Sequence, residues 1–267
     1  MLLHIGDIAY AGVGSIQEGE MEFLWDEYMN QIQALATLMP YQVTVGNHEK
    51  YYNYTAFQFR FHMPKSNAFP SNFWYSMQWG SAYVIVISTE HDYTNGSEQF
   101  RFIEQELQKA NDLKGRSVEW IIISGHRPFY CSDADELSQH TPGSPLLNTF
   151  EELFIKNRVD LVLGGHMHVY ERAGPVFNGT QIAPPTIPNT YTNSPWPLYL
   201  TQGTGGIAVG EDKFINPSPE WSVVRYTHFG FGRLTFQEKD GNALLIYEYK
   251  ANGNPTPLDS VTLVHTH

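Results

Sequence analysis

A chain of 267 residues with 42% apolar and 16% charged residues can bury a large core, which excludes an intrinsically disordered protein. Its net charge of −12 leaves no basic stripe for neutralising nucleic-acid phosphates, so no nucleic-acid partner is expected. A single cysteine, Cys131, excludes an intrachain disulfide and a cysteine-based zinc site, and it is expected half-buried beside a loop.

The chain opens in a strand over residues 2–5 that runs into Gly6-Asp7. Residues 17–39 carry Met21, Leu24, Trp25, Tyr28, Ile32, Leu35 and Leu38 at three- and four-residue spacing, which predicts an amphipathic helix stopped by Pro40. Residues 41–45 then form a second strand ending at Gly46, and a strand, helix and strand of this length predict a right-handed crossover and a parallel pair. The alternation repeats as strand 82–88, helix 97–110 with Phe100, Ile103 and Leu107 on one face, and strand 118–124 ending in Gly125-His126. Helix 146–156 and strand 160–163 follow, the latter ending in Gly164-Gly165-His166. Past Arg172 the texture changes. Residues 174–197, rich in proline among Asn, Thr and Ser, predict a long surface loop. Strands at 198–201, 232–236, 243–250 and 260–264, with turn residues between them, predict an antiparallel sheet.

The longest apolar strand cores, such as 84–87 and 121–123, are far shorter than the ~20 residues a membrane span needs, so no span is expected. The N-terminus lacks a basic region, and His4 and Asp7 interrupt its apolar stretch, so it does not read as a signal peptide. Three sequons begin at Asn53, Asn95 and Asn178 and suit a secreted glycoprotein.

Four short segments end these strands with metal-binding side chains: Gly6-Asp7-Ile8-Ala9-Tyr10, Gly46-Asn47-His48-Glu49, Gly125-His126 and Gly165-His166-Met167-His168. Open α/β sheets place their sites at such strand ends. Each segment alone reads as an ordinary turn; the set, in this order, points to a two-metal phosphoesterase acting on a small phosphorylated substrate. Two cations need a bridging carboxylate, and Asp7 is the candidate. Tyr10 can offer a phenolate, which near-neutral pH permits only beside a strongly acidic cation. Asn47 offers an amide oxygen, and His126, His166 and His168 offer imidazole nitrogens. His166 and His168 share one face if their segment is extended, whereas a bend sends them to different metals. Two ions about 3.5–4 Å apart can generate a hydroxide and clamp both oxygens of an in-line displacement at phosphorus. His48, beside Asn47, is the catalytic candidate, placed to bind a phosphate oxygen or protonate the leaving group.

The chain resembles a purple acid phosphatase of the calcineurin-like metallophosphoesterase superfamily. The resemblance rests on the four segments, extended through Ser124-Gly125-His126-Arg127-Pro128 and Tyr170-Glu171-Arg172, and on the closing strands from Gly230-Phe231-Gly232 to Val264. Tyr10 is its discriminating residue. It implies an α/β fold, a β-sandwich core of mixed sheets flanked by helices with C-terminal antiparallel strands. It also implies one domain over 1–267, with an αβ catalytic part (1–173), a proline-rich loop (174–197) and a C-terminal β part (198–267). By the same resemblance Asp7 bridges Fe(III) and a divalent ion (Zn, Mn or Fe), Tyr10 and His168 bind the ferric ion, and Asn47, His126 and His166 bind the divalent one. The implied reaction is hydrolysis of phosphate monoesters at acid pH, in a secreted, vacuolar or lysosomal setting.

The family's first motif, an Asp-x-Gly on an earlier strand that supplies another ferric ligand, lies ahead of Met1. A catalytically impaired fragment is therefore the competing expectation, and a phosphodiesterase or nucleotide hydrolase on the same rim is another. Plant members hold substrate with adjacent histidines after the Gly-His motif; here residues 130–136 carry none, and His140 is the nearest candidate substrate contact. Glu49 reads as a support for the ligands or a surface charge, and Tyr170, Glu171 and Arg172 as braces of the ligand loop. Gly203-Thr204-Gly205-Gly206 lacks the lysine and helix of a P-loop. His4, His62, His91, His228, His265 and His267 fall in no pattern and default to structure or solvent.

Overall fold

In the computed structural model, which describes residues 1–182, 185–206 and 212–267, β-branched runs and amphipathic segments alternate as their periodicity dictates. Strand β1 (Leu2–Ile5) leads into helix α1 (Glu22–Ala36), and β2 (Tyr41–Thr44) returns parallel to β1 with Leu3 opposite Gln42. The helix is shorter than the predicted 17–39. Only Trp25 is buried outright, and Leu38, beyond its end, is 79% exposed. A short α2 (Thr55–Arg60) precedes the hairpin of β3 (Tyr75–Trp79) and β4 (Ala82–Val86), of which β3 has no clear sequence signal. Helix α3 (Glu98–Leu113) begins where the Ser97 hydroxyl accepts the Phe100 N–H. After β5 (Trp120–Ser124), α4 (Pro145–Lys156) is capped in the same way by Ser144, with Pro145 in its first turn. Strands β6 (Leu161–Gly164) and β7 (Tyr170–Ala173) follow.

The stretch 174–197 is more ordered than a loop. It holds the small ladder of β8 (Val176–Phe177) and β9 (Thr180–Gln181), and β10 (Thr190–Thr192), which pairs parallel with the last strand of the chain. Its residues 183 and 184 lie outside the described residues. The predicted membership of 198–201 in the C-terminal sheet is corrected. That segment is β11 (Leu198–Gln202), parallel to β6 and antiparallel to β7, inside a seven-stranded sheet that β12 (Ser222–Tyr226) closes in the order β12-β7-β11-β6-β5-β4-β3. Leu198, Tyr199 and Leu200 are all buried, as a strand covered on both faces requires. The C-terminal sheet comprises β13 (Gly230–Lys239), β14 (Asn242–Ala251) and β15 (Asp259–Thr266), antiparallel as expected, with β10 as its parallel fourth strand.

Alternation along the central strands sends Val84, Ile122, Leu161 and Leu163 to one face, where they join Leu245, Tyr247, Val261 and Leu263 of the C-terminal sheet. This layer makes the two sheets a sandwich. Ile85, Ile121, Ile123 and Val162 face the other way, under Ile103 and Leu107 of α3 and Phe150 and Phe154 of α4. The fold is thus the mixed α/β sandwich flanked by helices that the sequence implies. The parallel strands β1, β2, β5 and β6 end at Ile5, Thr44, Ser124 and Gly164, each just before a metal-binding side chain. No helix among the described residues is long and apolar enough to cross a membrane.

Candidate metal centre

The glycines that follow β1 and β2 let the chain approach the ligands closely. Gly6 sits at φ +75°, and a Cβ there would meet His126 Nδ1 at 2.5 Å; a Cβ on Gly46 would meet Asp7 Oδ1 at 2.3 Å. Asp7, Tyr10 and His166 themselves adopt φ of 49°, 48° and 63°, strained backbone that persists only where surrounding contacts fix it. Glu49 supplies such contacts. Only 1% exposed, its carboxylate accepts the N–H groups of Gly46 at 2.7 Å, Asp7 at 2.9 Å and Ile8 at 2.8 Å, tying together the loops after β1 and β2. Burial and the Asp7 charge push the Glu49 carboxyl up to about 7, against the pull of those N–H groups.

The six candidate ligands converge in one cluster. His126 is fully buried, and its Nδ1 donates to the Ile5 carbonyl oxygen at 2.9 Å. That bond leaves Nε2 facing Asp7 Oδ2 at 3.1 Å, Asn47 Oδ1 at 3.0 Å and His166 Nδ1 at 3.2 Å. One ligand atom each from Asp7, His126 and His166 lies within 4.8 Å of the others. The Tyr10 hydroxyl donates to the same Asp7 Oδ2 at 3.2 Å and lies 2.8 Å from His168 Nε2. The bend at His166 therefore sends His166 to the His126 side and His168 to the Tyr10 side, with Met167 buried between them.

Electrostatics follow from that crowding. Burial opposes ionisation of Asp7, but His126 and His48 outweigh it and hold the carboxyl below the usual range. Burial likewise opposes charge on His126, and Asp7, Glu90 and the Ile5 carbonyl overcome it, so its pKa is raised. Burial and Asp7 push the Tyr10 hydroxyl well up. Among the described residues, the buried His168 Nδ1 has no hydrogen-bond partner. Lone pairs of Asp7, Asn47 and His166 gathered around His126 Nε2 repel one another unless positive charge sits among them. The oxygen and imidazole donors of that half suit a divalent zinc, manganese or iron ion, and carboxylate, phenol and imidazole suit a harder cation beside Tyr10. The donor set fits a pair of metals.

His48 is half-buried with its ring 4.3 Å from that of Tyr10, its N–H held by Asp7 Oδ1 at 3.0 Å and its Nδ1 donating to the Gly12 carbonyl oxygen at 2.7 Å. Nε2 is the ring nitrogen left for a ligand. His140 is placed differently from its expected role. It is 0% exposed, its Nδ1 donates to the Pro128 carbonyl oxygen, and its Nε2 lies 3.7 Å from Glu136, so it has no surface for a substrate to meet. Sequence reasoning assigned no role to Glu136, Arg127 or Glu90. Glu136 Oε2 is 3.1 Å from His166 Nε2, and Arg127 joins Glu90 at 2.9 Å. Glu136 and Arg127 stand within segments already singled out, whereas Glu90 follows β4 with no motif to mark it. Cys131 is fully buried with Met167 and Val169 under the His-Met-His segment, deeper than expected.

Residues 1–170 match the family described as calcineurin-like phosphoesterase, and residues 196–260 match the one described as iron/zinc purple acid phosphatase-like protein C. Acid phosphatase type 7 of Homo sapiens is 36% identical over 253 residues, covering 87% of this chain and 54% of that protein. Fe(3+)-Zn(2+) purple acid phosphatase 12 of Arabidopsis thaliana is 29% identical over 274 residues, covering 99% and 56%. The solved structure of a purple acid phosphatase from yellow lupin (Lupinus luteus) seeds superposes with a TM-score of 0.83 at 27% identity, covering 99% of this chain and 46% of that one. The chain thus spans about half the length of the curated relatives it matches. With one family matched across the strands that carry the cluster and the other from β11 to the start of β15, the chain belongs to the calcineurin-like phosphoesterases and is homologous to the purple acid phosphatases among them.

Proposed function

We propose that this chain is the catalytic portion of an acid phosphatase that hydrolyses small phosphate monoesters with a dinuclear metal centre. The carrying observation is the convergence on Asp7 of two donor sets, Asn47, His126 and His166 on one side and Tyr10 and His168 on the other. Asp7 would bridge the pair, the first set would hold a divalent ion (zinc, manganese or iron), and the second a ferric ion. When bound, such a pair polarises phosphoryl oxygens and activates water for in-line attack. Tyr10 favours a ferric neighbour because burial and Asp7 both oppose its ionisation, so only a strongly acidic cation makes it a phenolate. The same tyrosine weighs against the phosphodiesterase alternative.

His48 holds its ring against Tyr10 and keeps Nε2 available to bind a phosphate oxygen or protonate the leaving oxygen. His140 supports the site from beneath, through Glu136, and does not touch substrate as it stands. Residues 1–267 are read as one unit, a reading supported by the single apolar layer that joins Ile5 and Val43 to Leu263. Asn53, Asn95 and Asn178 are all exposed, which supports a glycoprotein in a secreted, vacuolar or lysosomal setting.

Metal content, visible spectrum and p-nitrophenyl phosphate hydrolysis at mildly acid pH test the proposal together. Two bound metals, a charge-transfer band and turnover are expected. A purified chain that takes up neither metal and turns over nothing would overturn it.

A further inference from the structure

We infer that Glu136 is a positioning residue that fixes the tautomer of His166, and with it the affinity for the divalent ion, by offering one carboxylate oxygen to both the ring and Arg127. The inference rests on the dinuclear reading above. His166 turns Nδ1 toward His126 at 3.2 Å and presents Nε2 to two neighbours, Arg127 Nη1 at 3.0 Å and Glu136 Oε2 at 3.1 Å. The same Oε2 lies 3.4 Å from Arg127 Nη1.

A guanidinium can only donate, so a ring nitrogen 3.0 Å from it has two options. Nε2 can accept the guanidinium proton with its lone pair, which puts the ring proton on Nδ1. That proton then points at Asp7 and His126, where a cation would sit, and blocks coordination. Alternatively Nε2 keeps the proton and shares a carboxylate oxygen with the guanidinium, leaving the Nδ1 lone pair free for metal. Glu136, an acceptor with room for both N–H groups, selects the second arrangement.

Arg127 would stay in place without Glu136. Its Nε is held by Glu90 Oε1 at 2.9 Å, and its backbone N–H donates to Thr89 Oγ1 at 3.0 Å. Loss of Glu136 therefore does more than remove a support. It exposes Nε2 to a fixed donor that enforces the wrong tautomer. Among the described residues no hydrogen bond joins Glu136 to Tyr10 or His168, so the ferric side serves as an internal control. The Glu136 side chain is 32% exposed, which makes its replacement compatible with folding.

The test measures zinc affinity of the iron-loaded protein by competition with a chromogenic chelator, beside the visible charge-transfer band. Glu136→Leu is expected to weaken zinc binding about 10–100-fold while the band persists, the usual loss when a histidine ligand forfeits its carboxylate partner. Glu136→Gln, which keeps an acceptor oxygen, is expected to stay within about twofold of the parent, inside the scatter of independent substitutions. In the double variant Glu136→Leu/Arg127→Met no donor among the described residues remains at Nε2, and zinc affinity is expected to recover toward that of Arg127→Met alone. Zinc binding unchanged by Glu136→Leu, or a double variant no tighter than the single, would overturn the inference. Glu136→Ala is read the same way if the leucine variant does not fold. A parent chain that binds no metal pair fails the reading of the site itself; a parent that binds both, with an unaffected Glu136→Leu variant, fails this inference alone.

Discussion

Arg172 and Asp259 meet as a buried fork, Nε 2.7 Å from Oδ2 and Nη2 2.9 Å from Oδ1. The Tyr170 hydroxyl also donates to Oδ2 at 2.7 Å, and its ring stacks on Tyr249 at 4.1 Å. Arg172 lies on β7, the strand that follows His166 and His168, and Asp259 opens β15. The pair therefore ties the sheet that carries the histidines to the C-terminal sheet. Asp259→Ala leaves the guanidinium buried without its carboxylate, and urea unfolding is expected to show a loss of about 3–5 kcal/mol. A midpoint unchanged from the parent would mean that the apolar layer holds the sheets without the fork.

Glu49 carries a different kind of strain. Glu49→Ala leaves the N–H groups of Gly46, Asp7 and Ile8 without their acceptor in a buried loop pair, and each such donor costs about 1–3 kcal/mol. Thermal stability and metal uptake are expected to fall together, because Asp7 is held at positive φ through the same contacts. Glu49→Gln retains one acceptor oxygen and should lose less of both. A Glu49→Ala protein with parental metal content would show that the ligand loops hold themselves.

The rim of the site was legible in the sequence because each ligand segment follows an apolar strand, and strand ends are where such sheets place their sites. Parallel pairing sets Asp7 beside Asn47 and His126 beside His166, and the His126 ring on the Ile5 carbonyl brings the two pairs together from separate sheets. The parts that escaped notice lack such a rule. An apolar run such as 198–202 reads alike in either sheet, and only the ladder with β6 assigns it. Strand β12 is half-exposed and bulged, so it shows no clean alternation. Glu90 comes from the loop after β4, Arg127 and Glu136 from the irregular connection between β5 and α4, and they meet through space with no spacing for periodicity to detect. Burial of His140 is a tertiary outcome of the same kind.

Ligand and catalytic roles separate by variant. Asn47→Ala and His166→Ala are each expected to abolish p-nitrophenyl phosphate hydrolysis with loss of the divalent ion, since both face His126 Nε2. His48→Ala is expected to lower kcat about 10²–10⁴-fold, the range for losing a positioned acid, with both metals retained. Hydrolysis undiminished in the two ligand variants would refute the site, and undiminished kcat in His48→Ala would remove that histidine from the chemistry.

His265 had no assigned role in the sequence, yet it is wedged between two carboxylates, Nδ1 2.6 Å from Glu119 and Nε2 2.9 Å from Asp160. Its ring stacks on Trp120 at 4.1 Å, so it latches the last strand to the base of β5 and β6. Lys114 shares Asp160 at 3.1 Å, and His267 lies 3.8 Å from Glu119. Both ring nitrogens of His265 face acceptors, an arrangement that an imidazolium satisfies fully. Burial opposes that charge, but Asp160 and Glu119 outweigh burial and raise the pKa above its ordinary 6.5. A group that binds its proton more tightly when folded contributes its stability in full below the unfolded pKa. That contribution is lost as pH rises through the raised folded value. Unfolding free energy measured from acid to mildly alkaline pH is therefore expected to fall more steeply in the parent than in His265→Gln, which has no proton to lose. Parallel profiles would show that the latch adds nothing to the fold.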